Sequence, residues 1–361
     1  MAKLRRTEFT PFLNRQTFLP CRFQWNGMNA VLLFLTIATM THAAEVTHKK
    51  DAESGFEVYT AKVGNTTARL VPEAGCNLFS IEFHGTELLK TPKSLKELPG
   101  FMYGNPVLYP MPNRVRDSQF TFGGQTYKFT PNNNGNFLHG LVHNVPWKVT
   151  KSVASEKDVV IVCELPFETG SEHFKLFPHR HTVRLETRIT DGATRFTYTV
   201  DNSQGDKPVP FGMAYHPWFL YQGKRESTFL TIPATHVFEA DPALLPTGKL
   251  NDVAGTKFDA RGGKSLGGFV IDDVFLGMKS DKPAVIDYRD AKLKISFPAS
   301  NDFTHLVVYT PEQPWFCVEN QTCSTDAHNL HAKGLKTEAH LLIVEPGKSH
   351  TGFAEFKFEK Y

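Results

Sequence analysis

From residue 181 the chain reads HTVRLETRIT-DG-ATRFTYTV, and this stretch restricts the fold more than any other. Val183, Leu185, Thr187 and Ile189 recur at every second position, so an extended backbone puts them on one face. Asp191-Gly192 supplies the positive φ of a tight turn, and Phe196, Tyr198 and Val200 resume the alternation beyond it. The pattern predicts an antiparallel hairpin with one buried face. QFTFGGQTYKF predicts a second, turning at Gly123-Gly124. FEVYTAKV, TARLV, VVIVCELPF, AKLKISF, HLVVYT and GFAEFKFE read as further strands, while KSLKEL is the best short helix. No repeat of 20–50 residues and no linker interrupts the pattern after about residue 55. The predicted class is all-β: one large antiparallel β-sandwich, over residues 45–361, with long loops. Loops on a rigid sheet are where chemistry concentrates.

Residues 1–44 differ. A basic stretch, MAKLRRTEFTPFLNRQTFLPCRFQW, precedes the uncharged run AVLLFLTIATM and the small residues of THAAEV. A basic region, a short apolar region and a small-residue site, for example after Ala43, describe a secretory signal. The apolar run is shorter than the roughly 20 residues of a membrane span. Export to the periplasm or the cell exterior is expected, with no stable membrane association after cleavage. An uncleaved anchor is the alternative, and Met28 is an alternative start that would remove the basic residues. Cleavage would also remove Cys21. Cys76, Cys163, Cys317 and Cys323 remain, a number that permits two disulfides without requiring them. A formal net charge of +3 with no basic stripe argues against nucleic acid as a partner.

Five segments break the strand pattern and concentrate polar groups. PVLYPMPNRVRDSQF carries Asn113, Arg114 and Arg116, and NNNGNFLHGLVHNVPW carries His139 and His143. FGMAYHPWF places His216 in an aromatic run, PWFCVENQTCSTDAHNL carries Glu319 and Asp326, and GGFVIDDVF pairs Asp272 with Asp273. Each has a plain structural explanation: a hydrogen-bonded core histidine, a loop-capping arginine, an exposed strand glutamate, aspartates at a turn. Together they are the materials of a sugar site. Aromatic rings cover the apolar face of a pyranose, and charged groups bind its hydroxyls.

These segments, in this order over roughly residues 55–358, resemble the aldose 1-epimerases, or galactose mutarotases. NPVLYPMPNRV is similar to that family's arginine segment, and NFLHGLV and AYHPWF to its two histidine motifs. IDDVF stands where the family has a substrate-binding aspartate, and FCVENQTCSTDAHN resembles its glutamate motif. LLPTGKL and GTKFDAR match its connecting loops. The resemblance implies a galactose mutarotase-like sandwich that interconverts the α and β anomers of a free aldohexose by general acid–base ring opening. It implies Glu319 as the base at the C1 hydroxyl and His216 as the acid at the ring oxygen. Arg114 and His139 would hold hydroxyls and help polarise the ring oxygen, and Asp272 would bind hydroxyls far from C1. No metal or organic cofactor is implied, since side chains can carry both proton transfers. Two features depart from the family or leave it open. Asn320 stands where the family commonly has proline, and Asp273 competes with Asp272 for the binding role, the two pointing to opposite faces in a strand.

Two other readings remain. HRHTVRLE gives His179-x-His181 with Glu186 following, which is similar to a cupin metal motif. The same sandwich could also bind carbohydrate without turning it over.

Overall fold

A computed structural model describes residues 43–361. Most of the predicted signal, with Cys21 and Met28, lies outside the described residues. Residues 181–201 form the predicted hairpin, His181–Thr190 pairing antiparallel with Ala193–Asp201 from Thr182↔Asp201 to Thr190↔Ala193. Burial alternates along the whole of His181–Thr190. Gly192 takes φ 76°, a left-handed value that glycine adopts at no steric cost. The Asp191 carboxylate accepts the Asn65 N–H at 2.8 Å and so ties this turn to a neighbouring sheet. Gly123 and Gly124, at φ 58° and 79°, turn the second hairpin, Gln119–Phe122 with Gln125–Lys128.

The long hairpin sits in a nine-stranded sheet that runs from Lys264–Ser265 at one edge to Lys148–Ala154 at the other. A second sheet of eight strands orders Pro246–Asp252, His236–Ala240, Asp272–Leu276, His305–Tyr309, Trp315–Gln321, Ala214–Tyr215 and Val107–Leu108. Trp218–Leu220 pairs on Trp315–Gln321 as well. A five-stranded sheet between Glu45 and Glu87 completes the layers. The pairings are antiparallel throughout these sheets. The two large sheets meet face to face over aromatic side chains. Phe219 of the eight-stranded sheet stands 5.6 Å, centroid to centroid, from both Phe297 and Phe356 of the other, at 87° and 66°. Phe196 and Tyr215 meet across the same gap at 4.9 Å. Edge-to-face contacts of this kind add to the apolar area they bury.

This is the all-β sandwich the alternation predicts. KSLKEL differs: only one 3₁₀ turn forms, Leu95–Glu97, closed by a capping box between Ser94 and Glu97. So short a segment cannot offset the cost of nucleating an α-helix. The last polar segment instead contains a helix the sequence pattern does not announce, Ala327–Ala332. Cys76, Cys163, Cys317 and Cys323 are all buried free thiols, so the two permitted disulfides do not form. His179 and His181 are buried and bond to Tyr127 and Tyr109 hydroxyls at 2.8 and 2.7 Å. Glu186 lies on the opposite face of the strand, with Arg184 and Arg188. The cupin-like grouping therefore does not assemble, because Glu186 is five positions from His181 and an odd spacing reverses the face.

Phe219 is fully buried between the two sheets. Replacing it with Ala is expected to lower unfolding free energy by about 3–5 kcal/mol in a urea titration. A change below about 1 kcal/mol would show that the two faces are not packed through this ring.

Candidate active site

Strand register decides where His216 goes. Ala214 pairs with Gln321 and Trp218 pairs with Cys317, so the residue midway between them stands opposite Glu319. Pro217 lacks an N–H and interrupts the ladder there. His216 keeps one anchor, its N–H donating to the Pro106 carbonyl at 3.0 Å. Tyr215 points inward onto Phe196, so His216, one residue on, points out. On Trp315–Gln321 the same alternation sends Phe316 and Val318 into the core and leaves Cys317, Glu319 and Gln321 on the outer face. His216 Nε2 and Glu319 Oε1 are 3.3 Å apart, and both residues are buried.

Two loops close over this face. The segment through Pro110, Met111 and Pro112 delivers Arg114, and Asp326 anchors it twice. The Asp326 N–H donates to the Arg114 carbonyl at 2.8 Å, and the Asp326 carboxylate accepts the Arg116 N–H at 3.0 Å. The second loop carries His139, itself at φ 71°. Gly140 follows it because there is no room for more. A Cβ there would lie 2.3 Å from the Tyr109 carbonyl oxygen. His139 Nδ1 donates to the Pro112 carbonyl at 3.1 Å, which leaves Nε2 free to accept. Asp272 opens the strand Asp272–Leu276, and its carboxylate is 3.8 Å from Arg114 Nη2. Asn133 and Asn113 hold the same guanidinium, at 3.1 and 3.4 Å.

Arg114, His139, His216, Asp272 and Glu319 thus line one cavity of about 220 Å³. Asp273 faces away from it, into a narrower cleft beside Ser324 and Thr325. Asp326 and Arg116 support the loop, and His143 bonds to the His139 carbonyl at 3.0 Å. The aromatic wall is larger than the motifs alone indicate. Trp218 stacks on His216 at 4.7 Å, Trp315 meets Trp218 edge-on at 4.7 Å, and Phe101 abuts His139 at 4.5 Å. Phe101 and Tyr309 carry no sequence signal, for they arrive from a loop and from a neighbouring strand. Gln321 does carry one. It lies two residues beyond Glu319 on the same strand face, and its amide donates to Glu319 Oε2 at 3.0 Å.

Burial dominates the electrostatics. It pushes Glu319 well above the usual carboxylate range, with the Asp272 charge adding to the effect and the Gln321 amide opposing it. Burial also pulls His216 down to about 3, and its Nδ1 has no hydrogen-bond partner to stabilise an imidazolium. His139 is pulled well below its ordinary value by burial and then by His216. Both shifts disfavour the charged forms, so desolvation opposes an ionised Glu319 beside a protonated His216.

Comparison with known proteins places this fold. The aldose 1-epimerase family profile matches residues 57–357. Among curated proteins, the aldose 1-epimerase of Escherichia coli is 29% identical over 165 residues, 45% of this chain and 46% of that one. The galactose mutarotase of Bos taurus is 26% identical over 186 residues, 47% and 50% of the two chains. These matches span about half the length of those relatives. A galactose mutarotase-like protein from Clostridium acetobutylicum superposes with a TM-score of 0.80 at 21% identity, over 88% of this chain and 99% of its own. The architecture is thus that of the galactose mutarotase-like sandwiches. The chain belongs to the aldose 1-epimerase family.

Gln321→Leu keeps the side chain's bulk and removes the donor to Glu319. A hydrogen bond to a charged group contributes about 1.5–3 kcal/mol, so turnover on an accepted aldose is expected to fall at least about tenfold with KM little changed. An unchanged kcat would show that the amide does not set the state of Glu319.

Proposed function

We propose that this chain is a mutarotase that interconverts the α and β anomers of a free aldohexose such as glucose or galactose. The observation that carries this reading is the 3.3 Å contact between an imidazole and a carboxylate at the base of an aromatic-walled cavity. The two oxygens that exchange protons in mutarotation are both bonded to C1, so an acid and a base in contact can reach both. Glycoside hydrolysis instead uses two carboxyl groups about 5–9.5 Å apart on either side of the bond.

In ring opening the Glu319 carboxylate takes the proton from the C1 hydroxyl, and the His216 imidazolium gives one to the ring oxygen. The bond from C1 to the ring oxygen breaks, and the C1 oxygen becomes the aldehyde oxygen. Rotation about C1–C2 presents the other face of the aldehyde, and the same two transfers run backwards. Opening moves the proton of the pair from His216 to Glu319. The cyclic sugar raises His216 by bringing its ring oxygen to Nε2 as an acceptor. Arg114 and His139 bind hydroxyls beside the ring oxygen, and Asp272 binds those away from C1. We further take residues 1–44 to direct export, on the strength of their basic and apolar runs.

Polarimetry of freshly dissolved α-D-glucose and α-D-galactose tests the assignment. The chain should speed the decay of rotation. Glu319→Gln should lose at least about 10²-fold of kcat while still binding sugar, and His216→Asn should lose a similar factor. Near-normal rates in Glu319→Gln would remove it as the base, and a change in KM alone would make His216 a binding residue.

The pH profile is a separate check. Below the His216 value of about 3 the pair gains a second proton and has no base. Above the raised Glu319 value it has no proton and no acid. Between these limits kcat/KM should be level, with no acid limb near the ordinary imidazole value of 6.5. An inflection at that value would mean His216 titrates as a solvated histidine.

A further inference from the structure

The strand face that carries Glu319 also carries Cys317, two residues earlier, and the proton transfers make no use of its thiol. The ligating atoms of His216, Cys317 and Glu319 all lie within 4.8 Å of one another, and all three residues are buried. We propose that these three side chains form a site for one thiophilic divalent cation, such as zinc, and that its binding shuts the pocket to sugar.

Geometry favours the donor set. Tetrahedral zinc holds nitrogen and oxygen at about 2.0–2.2 Å and sulfur at about 2.3 Å, which puts a nitrogen and an oxygen ligand roughly 3.3 Å from each other. His216 Nε2 and Glu319 Oε1 already stand 3.3 Å apart. The sulfur has to approach by no more than roughly 1 Å to complete the set. Cys317 pairs with Trp218 in the ladder, so its Cα is fixed beside the histidine segment and only the side chain needs to turn.

Charge balance favours it as well. The bound cation displaces the Cys317 proton and any proton held between His216 and Glu319, and these leave to solvent. A thiolate, a carboxylate and a neutral imidazole then match a dication with no net charge, the condition under which burying ions costs least. The cavity supplies the fourth position, to water. Thiolate and imidazole donors select zinc over magnesium, which prefers oxygen ligands and retains its waters. With both reacting groups bound to metal, neither can move a proton. Only this inhibition rests on the sugar reading; the binding does not.

Equilibrium dialysis of the full chain against Zn²⁺, with Mg²⁺ as control, tests the site. Cys317→Ser and Cys317→Ala serve as two variants, each checked for its native circular dichroism. The expected result is one zinc per chain and no magnesium, with binding at least about tenfold weaker in both variants, since even outer-shell partners are worth about 10–100-fold. Cobalt should give a thiolate charge-transfer band in the wild type that both variants lose. Zinc should stop galactose mutarotation in the wild type, and excess chelator should restore it. Absence of stoichiometric zinc in the wild type, or equal binding in the variants, would overturn the proposal. A chain that binds zinc through Cys317 yet leaves every aldose unchanged would refute the mutarotase reading and keep the metal site.

Discussion

The contact between His216 and Glu319 is the interaction on which the rest of the site depends, and a strand ladder makes it. Ala214 and Trp218 are paired with Gln321 and Cys317, so the imidazole and the carboxylate are placed by backbone hydrogen bonds on both sides of them. Strand pairing is a stiff way to hold two side chains. A slip of one residue would turn Glu319 into the core and bring Val318 or Asn320 out to the pocket. The aromatic rings between the sheets resist that slip, since Phe316 and Phe219 would have to leave the interior with it. The precision of the site thus comes from the core of the sandwich.

The same burial that fixes the geometry sets the chemistry. A carboxylate in solvent beside an imidazole would keep its charge and leave the proton on nitrogen. Here desolvation penalises both ions, which raises Glu319 and lowers His216. The Gln321 amide and then the Arg114 charge act on Glu319 in the other direction.

Much of this was legible in the sequence, for identifiable reasons. The hairpin at 181–201 was readable because alternation is a direct consequence of strand geometry and its turn needs a glycine. Five polar residues, Arg114, His139, His216, Asp272 and Glu319, could be singled out because each interrupts an apolar or aromatic segment. Their convergence could only be inferred from resemblance, because long-range pairing such as Trp218 with Cys317 has no local signature. The aspartate pair shows the limit clearly. Alternation says that Asp272 and Asp273 face opposite ways, but only the placement of the neighbouring strand shows that Asp272 faces the cavity. Phe101 and Tyr309 were hidden because pocket walls are assembled from loops and strands distant in sequence. Asn320 lies on the inward face and its amide donates to the Phe297 carbonyl at 3.5 Å, so the departure from the family's proline leaves the Glu319 carboxylate in place. The cysteine number allowed pairing without requiring it, and all four are buried free thiols.

Magnetisation exchange between the anomeric protons of equilibrated galactose would test the central claim most directly, because it watches the anomers interchange without any net reaction. The account predicts transfer between the α and β signals that grows in proportion to the wild-type chain and vanishes with Glu319→Gln. Galactose or glucose that binds the wild-type chain yet shows no exchange above the spontaneous rate would contradict it.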